Sequence, residues 1–130
     1  MLVLDASVAV AASYRDRGFE EFGDEPLVAP ALMWSEARSA LHELLWRGEV
    51  DPGDAATTRR RLESCPVERR EPARLGDEAW RVADELGWAK TYDAEYVALA
   101  RLLDCRLVTL DARLHRATNE LGFVVSPSEL

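Results

Sequence analysis

The chain has 130 residues, an apolar fraction of 48% and a charged fraction of 31%, which suits one globular domain over residues 1–130 and excludes a disordered segment. At this length roughly two-thirds of the unfolded surface can be buried, so a core forms without disulfides. Sixteen Lys and Arg against 24 Asp and Glu leave a net charge of −8. That balance excludes a protein held on nucleic acid by bulk charge alone, though not a nuclease with a local basic rim or bound cations.

Cys65 and Cys105 are the only cysteines and form no CxxC pair, so two core thiols are expected and not a structural zinc or redox motif. The apolar opening carries Asp5 and no basic n-region. No run approaches the about 18 apolar residues of a membrane span. A soluble, reduced, cytoplasmic protein with no membrane partner is the expectation.

Short apolar runs alternate with helical spacing along the chain. Leu2–Leu4 reads as a buried strand ending at Asp5, followed by a helix over Ala6–Tyr14. Leu27–Ala29 reads as a second strand. Between Ala31 and Arg47, Met33, Ala37, Leu41, Leu44 and Leu45 recur at helical period, and Gly48 supplies the stop. Asp51 before Pro52 is an N-cap and first-turn pair opening a helix to about Ser64. Val67–Glu71 reads as a strand with little apolar signal. Gly76–Leu86 reads as a helix with Trp80 and Ala83 on one face. The next helix, Asp93–Asp104, carries Tyr96, Val97, Ala100 and Leu103 on one stripe. Arg106–Leu110 reads as a strand ending at Asp111, Ala112–Leu121 as a helix, and Phe123–Val125 as the last strand.

Strands alternating with helices imply a short parallel sheet covered on both faces, a three-layer α/β/α sandwich. Ligands of such sheets bind beyond the carboxyl ends of the strands, where strand order reverses. Asp5 and Asp111 are the acids at those ends. Taken singly, each is also an ordinary N-cap, although neither has Glu or Gln three residues on to form a capping box. Glu36 sits beside Met33, Trp34, Ala37 and Ala40, where an exposed flank position is the plain explanation. Asp93 aligns with the inward stripe, and no Lys or Arg stands three or four residues on to pair it.

The four acids matter through their conjunction. Two carboxylates about 4 Å apart repel by about 4 kcal/mol at an effective dielectric of about 20. Several such pairs would remove much of the about 5–15 kcal/mol that keeps a domain folded. Protonation or a cation resolves such a cluster, and all-oxygen ligands favour Mg²⁺ or Mn²⁺ over zinc. Bound metal activates water and offsets charge on phosphate, so phosphodiester hydrolysis is the chemistry expected.

These residues also stand in a familiar pattern. Leu-Val-Leu-Asp5-Ala-Ser7, Trp34-Ser35-Glu36-Ala37, the stretch Thr91-Tyr92-Asp93-Ala94-Glu95-Tyr96-Val97-Ala98-Leu99-Ala100, and Leu107-Val108-Thr109-Leu110-Asp111 occur in order along nearly the whole chain. Together they resemble the PIN-domain family, and within it the VapC-type ribonuclease toxins of prokaryotic toxin–antitoxin pairs. The resemblance implies a metal-dependent endoribonuclease, a homodimer, and an antitoxin whose tail enters the groove. By it, Asp5, Glu36, Asp93 and Asp111 bind Mg²⁺, with Asp5 and Asp93 the most direct ligands. Ser7 and Thr109, each two residues from an acid, would steer its carboxylate; a local backbone hydrogen bond is the alternative for both.

All but one of the 16 basic residues are Arg. Lys90, three residues before Asp93, and Arg113, just after Asp111, are the expected phosphate contacts. Trp34, Arg38, Leu41 and Trp46 share one helix and are the expected lining of the antitoxin groove, although tryptophans at helical spacing commonly belong to the core. His42 and His115 have no partner at ligand spacing. Three rivals stand beside the toxin reading: a PIN nuclease for RNA maturation with no antitoxin, a non-catalytic PIN binding module, and a receiver-like phospho-acceptor domain. The last expects adjacent acids after the first strand, where this chain has Asp5-Ala6.

Overall fold

A computed structural model describes all residues, 1–130. Five strands, β1 (Leu2–Leu4), β2 (Leu27–Ala29), β3 (Val67–Arg69), β4 (Arg106–Val108) and β5 (Val124–Val125), form one sheet of order β3-β2-β1-β4-β5. Every pairing is parallel. Such a sheet is buried on both faces, which is why β1 and β2 are unbroken runs of buried apolar residues. The edge strand β3 buries only Val67 and exposes Glu68 and Arg69.

The helices are α1 (Ala6–Tyr14), α2 (Leu32–Trp46), α3 (Pro52–Glu63), α4 (Leu75–Leu86), α5 (Tyr92–Leu102) and α6 (Ala112–Ala117). The chain moves from β1 to β2 to β3 in one direction, then returns past β1 to β4 and β5. Right-handed crossovers therefore put α1, α2 and α3 on one face and α4 and α5 on the other. The packing agrees: α1, α2 and α3 contact one another, and α4 contacts α5. The reversal lies between β1 and β4, so the residues after those two strands open onto the switch point.

Local rules account for the element ends. Asp51 caps α3 by accepting from the Asp54 N–H at 2.8 Å, with Pro52 in the first turn. Gly87 ends α4 in the left-handed conformation, φ 69°. Five expected elements are shorter than the apolar pattern suggests. β3 stops at Arg69, β4 at Val108 and α5 at Leu102, β5 begins only at Val124, and the last helix breaks after Ala117 into a 3₁₀ turn over Asn119–Leu121.

Trp80 does not share the inward face with Ala83. The buried stripe of α4 is Leu75, Glu78, Ala79, Val82 and Ala83, and Trp80 lies outside it, 68% exposed. Trp46 is also exposed, whereas Trp34 and Trp88 pack half-buried against the core. Both cysteines are free and half-buried. No helix is long and apolar enough to cross a membrane.

The unpredicted 3₁₀ turn Gly18–Phe22 folds back on the end of α1. A Cβ on Gly18 would meet the Ala12 carbonyl oxygen at 2.1 Å. Backbone cannot yield as a flexible side chain can. Gly18→Ala is therefore expected to destabilise the fold by about 1–3 kcal/mol, measured as a lowered melting temperature.

Candidate active site

Asp5 closes β1 and caps α1, so one carboxylate serves both the fold and the switch point. Its Oδ1 accepts from the Val8 N–H at 3.1 Å and from Ser7 Oγ at 2.5 Å, and its Oδ2 accepts from Thr109 Oγ1. Both hydroxyls have their donor direction dictated. Ser7 Oγ already accepts from the Leu110 N–H at 3.0 Å, and Thr109 Oγ1 from the Asp111 N–H at 3.0 Å. Their protons go to Asp5, and the ends of β1 and β4 are tied together through it. A carboxylate offers about four lone-pair sites, so Asp5, 5% exposed, retains about one.

Glu36 stands in the second turn of α2, half-buried. Its Oε1 accepts from the Tyr96 hydroxyl of α5 at 2.7 Å, and Oε2 takes no protein donor. Asp111 caps α6, with Oδ1 accepting from the N–H groups of Arg113 at 2.9 Å and Leu114 at 3.2 Å. Asp93 lies in the first turn of α5 and makes no hydrogen bond. It is exposed, not inward: the buried run of α5 begins at Ala94. The positive charge that acts on it is Arg113, brought from another element.

Glu36, Asp93 and Asp111 line one open cleft of about 680 Å³, together with Lys90, Tyr92 and Arg113. Asp5 is not among the lining residues; it lies buried beside them and its charge acts on Glu36. Burial holds the Asp5 carboxyl above the usual range, with the hydroxyls of Ser7 and Thr109 opposing and the Asp111 charge adding. Burial also raises Glu36, against the Tyr96 hydrogen bond and with the charges of Asp93 and Asp5. Asp93 is raised by partial burial and by Asp111, with Arg113 opposing. Negative charge is therefore concentrated without full compensation.

No three acidic, histidine or cysteine side chains close on a common ion-sized point. The donor set of the cleft acids is all oxygen, the kind a hard cation takes. Mg²⁺ keeps several waters and takes only one or two direct carboxylates. The free oxygens are all hard donors: Oε2 of Glu36, both oxygens of Asp93 and Oδ2 of Asp111.

A model of the PIN domain matches residues 2–120. The chain belongs to the PIN-domain family. Two curated relatives, "VapC ribonuclease Mb0985" of Mycobacterium bovis and "Ribonuclease VapC9" of Mycobacterium tuberculosis, are each 36% identical to this PIN-domain protein over 115 residues, 88% of either chain. Among solved structures, PAE2754 from Pyrobaculum aerophilum superposes with TM-score 0.76 and 27% identity over 98% of this chain and 90% of its own. A toxin–antitoxin complex from Klebsiella pneumoniae contains a chain of the same fold, TM-score 0.68 and 15% identity, with 98% of each chain covered. Family membership removes the receiver-domain alternative.

The remaining expected residues divide. Lys90 and Arg113 both line the cleft, and neither enters an ion pair with another side chain. A separate groove of about 410 Å³ between α2 and α3 is lined by Arg38, Leu41, His42, Leu45, Pro52 and Arg59 among others. Trp34 and Trp46 are not among its lining residues. Arg69 stacks on the Trp34 ring, 5.2 Å from its centroid. Two residues of the cleft region escaped sequence reasoning. Tyr92 exposes its ring on the cleft, and Tyr96, read only as core, reaches Glu36 with its hydroxyl. The available signal was chemical: a buried tyrosine needs a partner for its hydroxyl.

Proposed function

We propose that this PIN-domain protein is a divalent-metal-dependent endoribonuclease and the toxin of a toxin–antitoxin pair. The observation that carries the reading is the cleft in which Glu36, Asp93 and Asp111 face unpaired Lys90 and Arg113, above buried Asp5. The names of the 36% identical relatives support the ribonuclease reading.

Mg²⁺ or Mn²⁺, when bound, supplies Lewis acidity, an activated water and compensation of phosphate charge. Asp93, Asp111 and Glu36 would hold the ion through their free oxygens. Asp5 would contribute its remaining lone pair, oriented by Ser7 and Thr109. Lys90 and Arg113 would hold phosphates on either side of the scissile bond, and Tyr92 would stack a base. A local basic pair inside an acidic protein thus supplies what bulk charge does not.

Replacing Lys90 and Arg113 together by Ala is expected to weaken RNA binding and to reduce the dependence of log affinity on log salt by about 1.4, the value for two contacts to a single strand. Fluorescence anisotropy over a salt series measures it.

The partner proposed is an antitoxin whose apolar, acidic segment lies in the groove over Leu41 and Leu45, flanked by Arg38 and Arg59. The homodimer implied by the resemblance is tested by sedimentation of the purified chain. Mapping RNA ends after brief induction tests the main reading. New ends absent with Asp93→Asn are expected; identical ends with both proteins would overturn it.

A further inference from the structure

We propose that Tyr96 is a positioning residue that fixes the Glu36 carboxylate, holding one oxygen for the protein and presenting the other to a divalent ion. The proposal rests on the metal-nuclease reading above. Tyr96 is 1% exposed, among the core residues of α5, and its hydroxyl donates to Glu36 Oε1 at 2.7 Å across a sequence separation of 60 residues. The phenol proton is directed to Glu36. A phenol keeps its proton at neutral pH, so the hydroxyl is a donor.

One hydroxyl therefore joins two parts of the site. It belongs to the helix that carries Asp93, and it holds the side chain carried by α2. The other acids show why Glu36 needs it. Asp5 is oriented by Ser7, Thr109 and the Val8 amide, and Asp111 by the first amides of α6. Glu36 has a longer side chain, no capping role, and Tyr96 as its one hydrogen-bond donor. Without it, the carboxylate would sample several rotamers and spend part of its time away from the cleft.

Tyr96→Phe keeps the ring in the core and removes the hydroxyl. With RNA absent, calorimetric titration with Mn²⁺ is expected to show affinity about tenfold weaker than in the unaltered protein. The double variant Tyr96→Phe with Glu36→Gln is expected to bind Mn²⁺ no more weakly than Glu36→Gln alone, since the two changes remove one interaction. Unchanged affinity in Tyr96→Phe, or losses that add in the double variant, would overturn the assignment. Should Tyr96→Phe fail to melt cooperatively, the hydroxyl proton of Tyr96 can be followed by NMR in the unaltered protein. It is expected to shift on Mg²⁺ addition and not to respond in Glu36→Gln; a proton indifferent to Mg²⁺ would overturn the assignment equally. If the unaltered protein takes up no Mn²⁺, the metal-nuclease reading fails and the assignment falls with it. Normal uptake with no effect of Tyr96→Phe removes the assignment alone.

Discussion

Asp93→Asn is expected to lower RNA cleavage by about 10³-fold while leaving the fold as stable as before or more so. The first half follows from the loss of a charged ligand whose several kcal/mol act on the transition state, at a factor of ten for about each 1.4 kcal/mol. The second half follows from the structure. Asp93 is exposed, caps nothing and accepts no hydrogen bond, and it raises the electrostatic energy of Glu36. Neutralising it removes repulsion and costs no packing. Asp5→Asn differs in kind, because the amide nitrogen would face a hydroxyl whose proton already points inward. That variant is expected to lose activity and also about 1–3 kcal/mol of stability. A gel assay of RNA cleavage beside calorimetric melting separates the two. Full activity in folded Asp93→Asn would remove the proposed function.

The contrast between these two aspartates also shows what was legible in the sequence. Asp5 and Asp111 follow apolar runs and precede helices, and the alternation of elements alone places both at the carboxyl edge of a parallel sheet. Their caps are local, within three residues, so sequence spacing reports them. The donation of Ser7 to Asp5 was legible for the same reason at the level of spacing, whereas Thr109, two residues from Asp111, accepts from that residue's amide and steers Asp5 instead. What spacing does not carry is the link from Ser7 to Leu110 or from Thr109 to Asp5, which depends on β1 lying beside β4.

The exposure of Asp93 was misjudged because a helical stripe extrapolated backward ignores where the core ends. Trp80 failed similarly: a spacing of three allows a shared face with Ala83, but the stripe centred on Ala79 and Val82 excludes it. The Gly18–Phe22 turn has no periodicity to read, and only the close approach to Ala12 explains it. The hydrogen bond from Tyr96 to Glu36 joins two helices on opposite faces of the sheet, beyond the reach of any one-dimensional pattern.

With divalent ions chelated, the acids of the site are expected to take stability from the fold as pH rises above about 4, and Mg²⁺ to restore more of it at neutral than at acid pH. Asp5, Glu36 and Asp93 all have carboxyls raised in the folded state, first by burial and then by neighbouring charge, that of Asp111 on Asp5 and Asp93 and that of Asp93 and Asp5 on Glu36. In the unfolded chain they titrate near 4. Between that value and the raised one, the folded protein holds more protons than the unfolded chain. Stability therefore falls with pH through this window and levels off above the folded values. Glu25, Glu63 and Glu129 act in the opposite sense, their carboxyls being lowered by hydrogen bonds to the amino terminus, Arg38 and Ser126. They are exposed, and they cancel when the unaltered protein is compared with Asp93→Asn. The difference in melting temperature between the two is thus expected to move against the unaltered protein as pH rises from 4. An ion replaces those protons, so its binding competes with them and strengthens as pH rises. At a Mg²⁺ concentration 100 times its dissociation constant, the stabilisation is about 2.7 kcal/mol, or about 10 °C in melting temperature for a domain of this size. At pH 5 the same concentration is expected to give a smaller shift, and in Asp93→Asn a smaller one still. A shift that is equal at both pH values and survives in Asp93→Asn would mean that the ion binds elsewhere, and that the repulsion among these carboxylates is relieved in some other way.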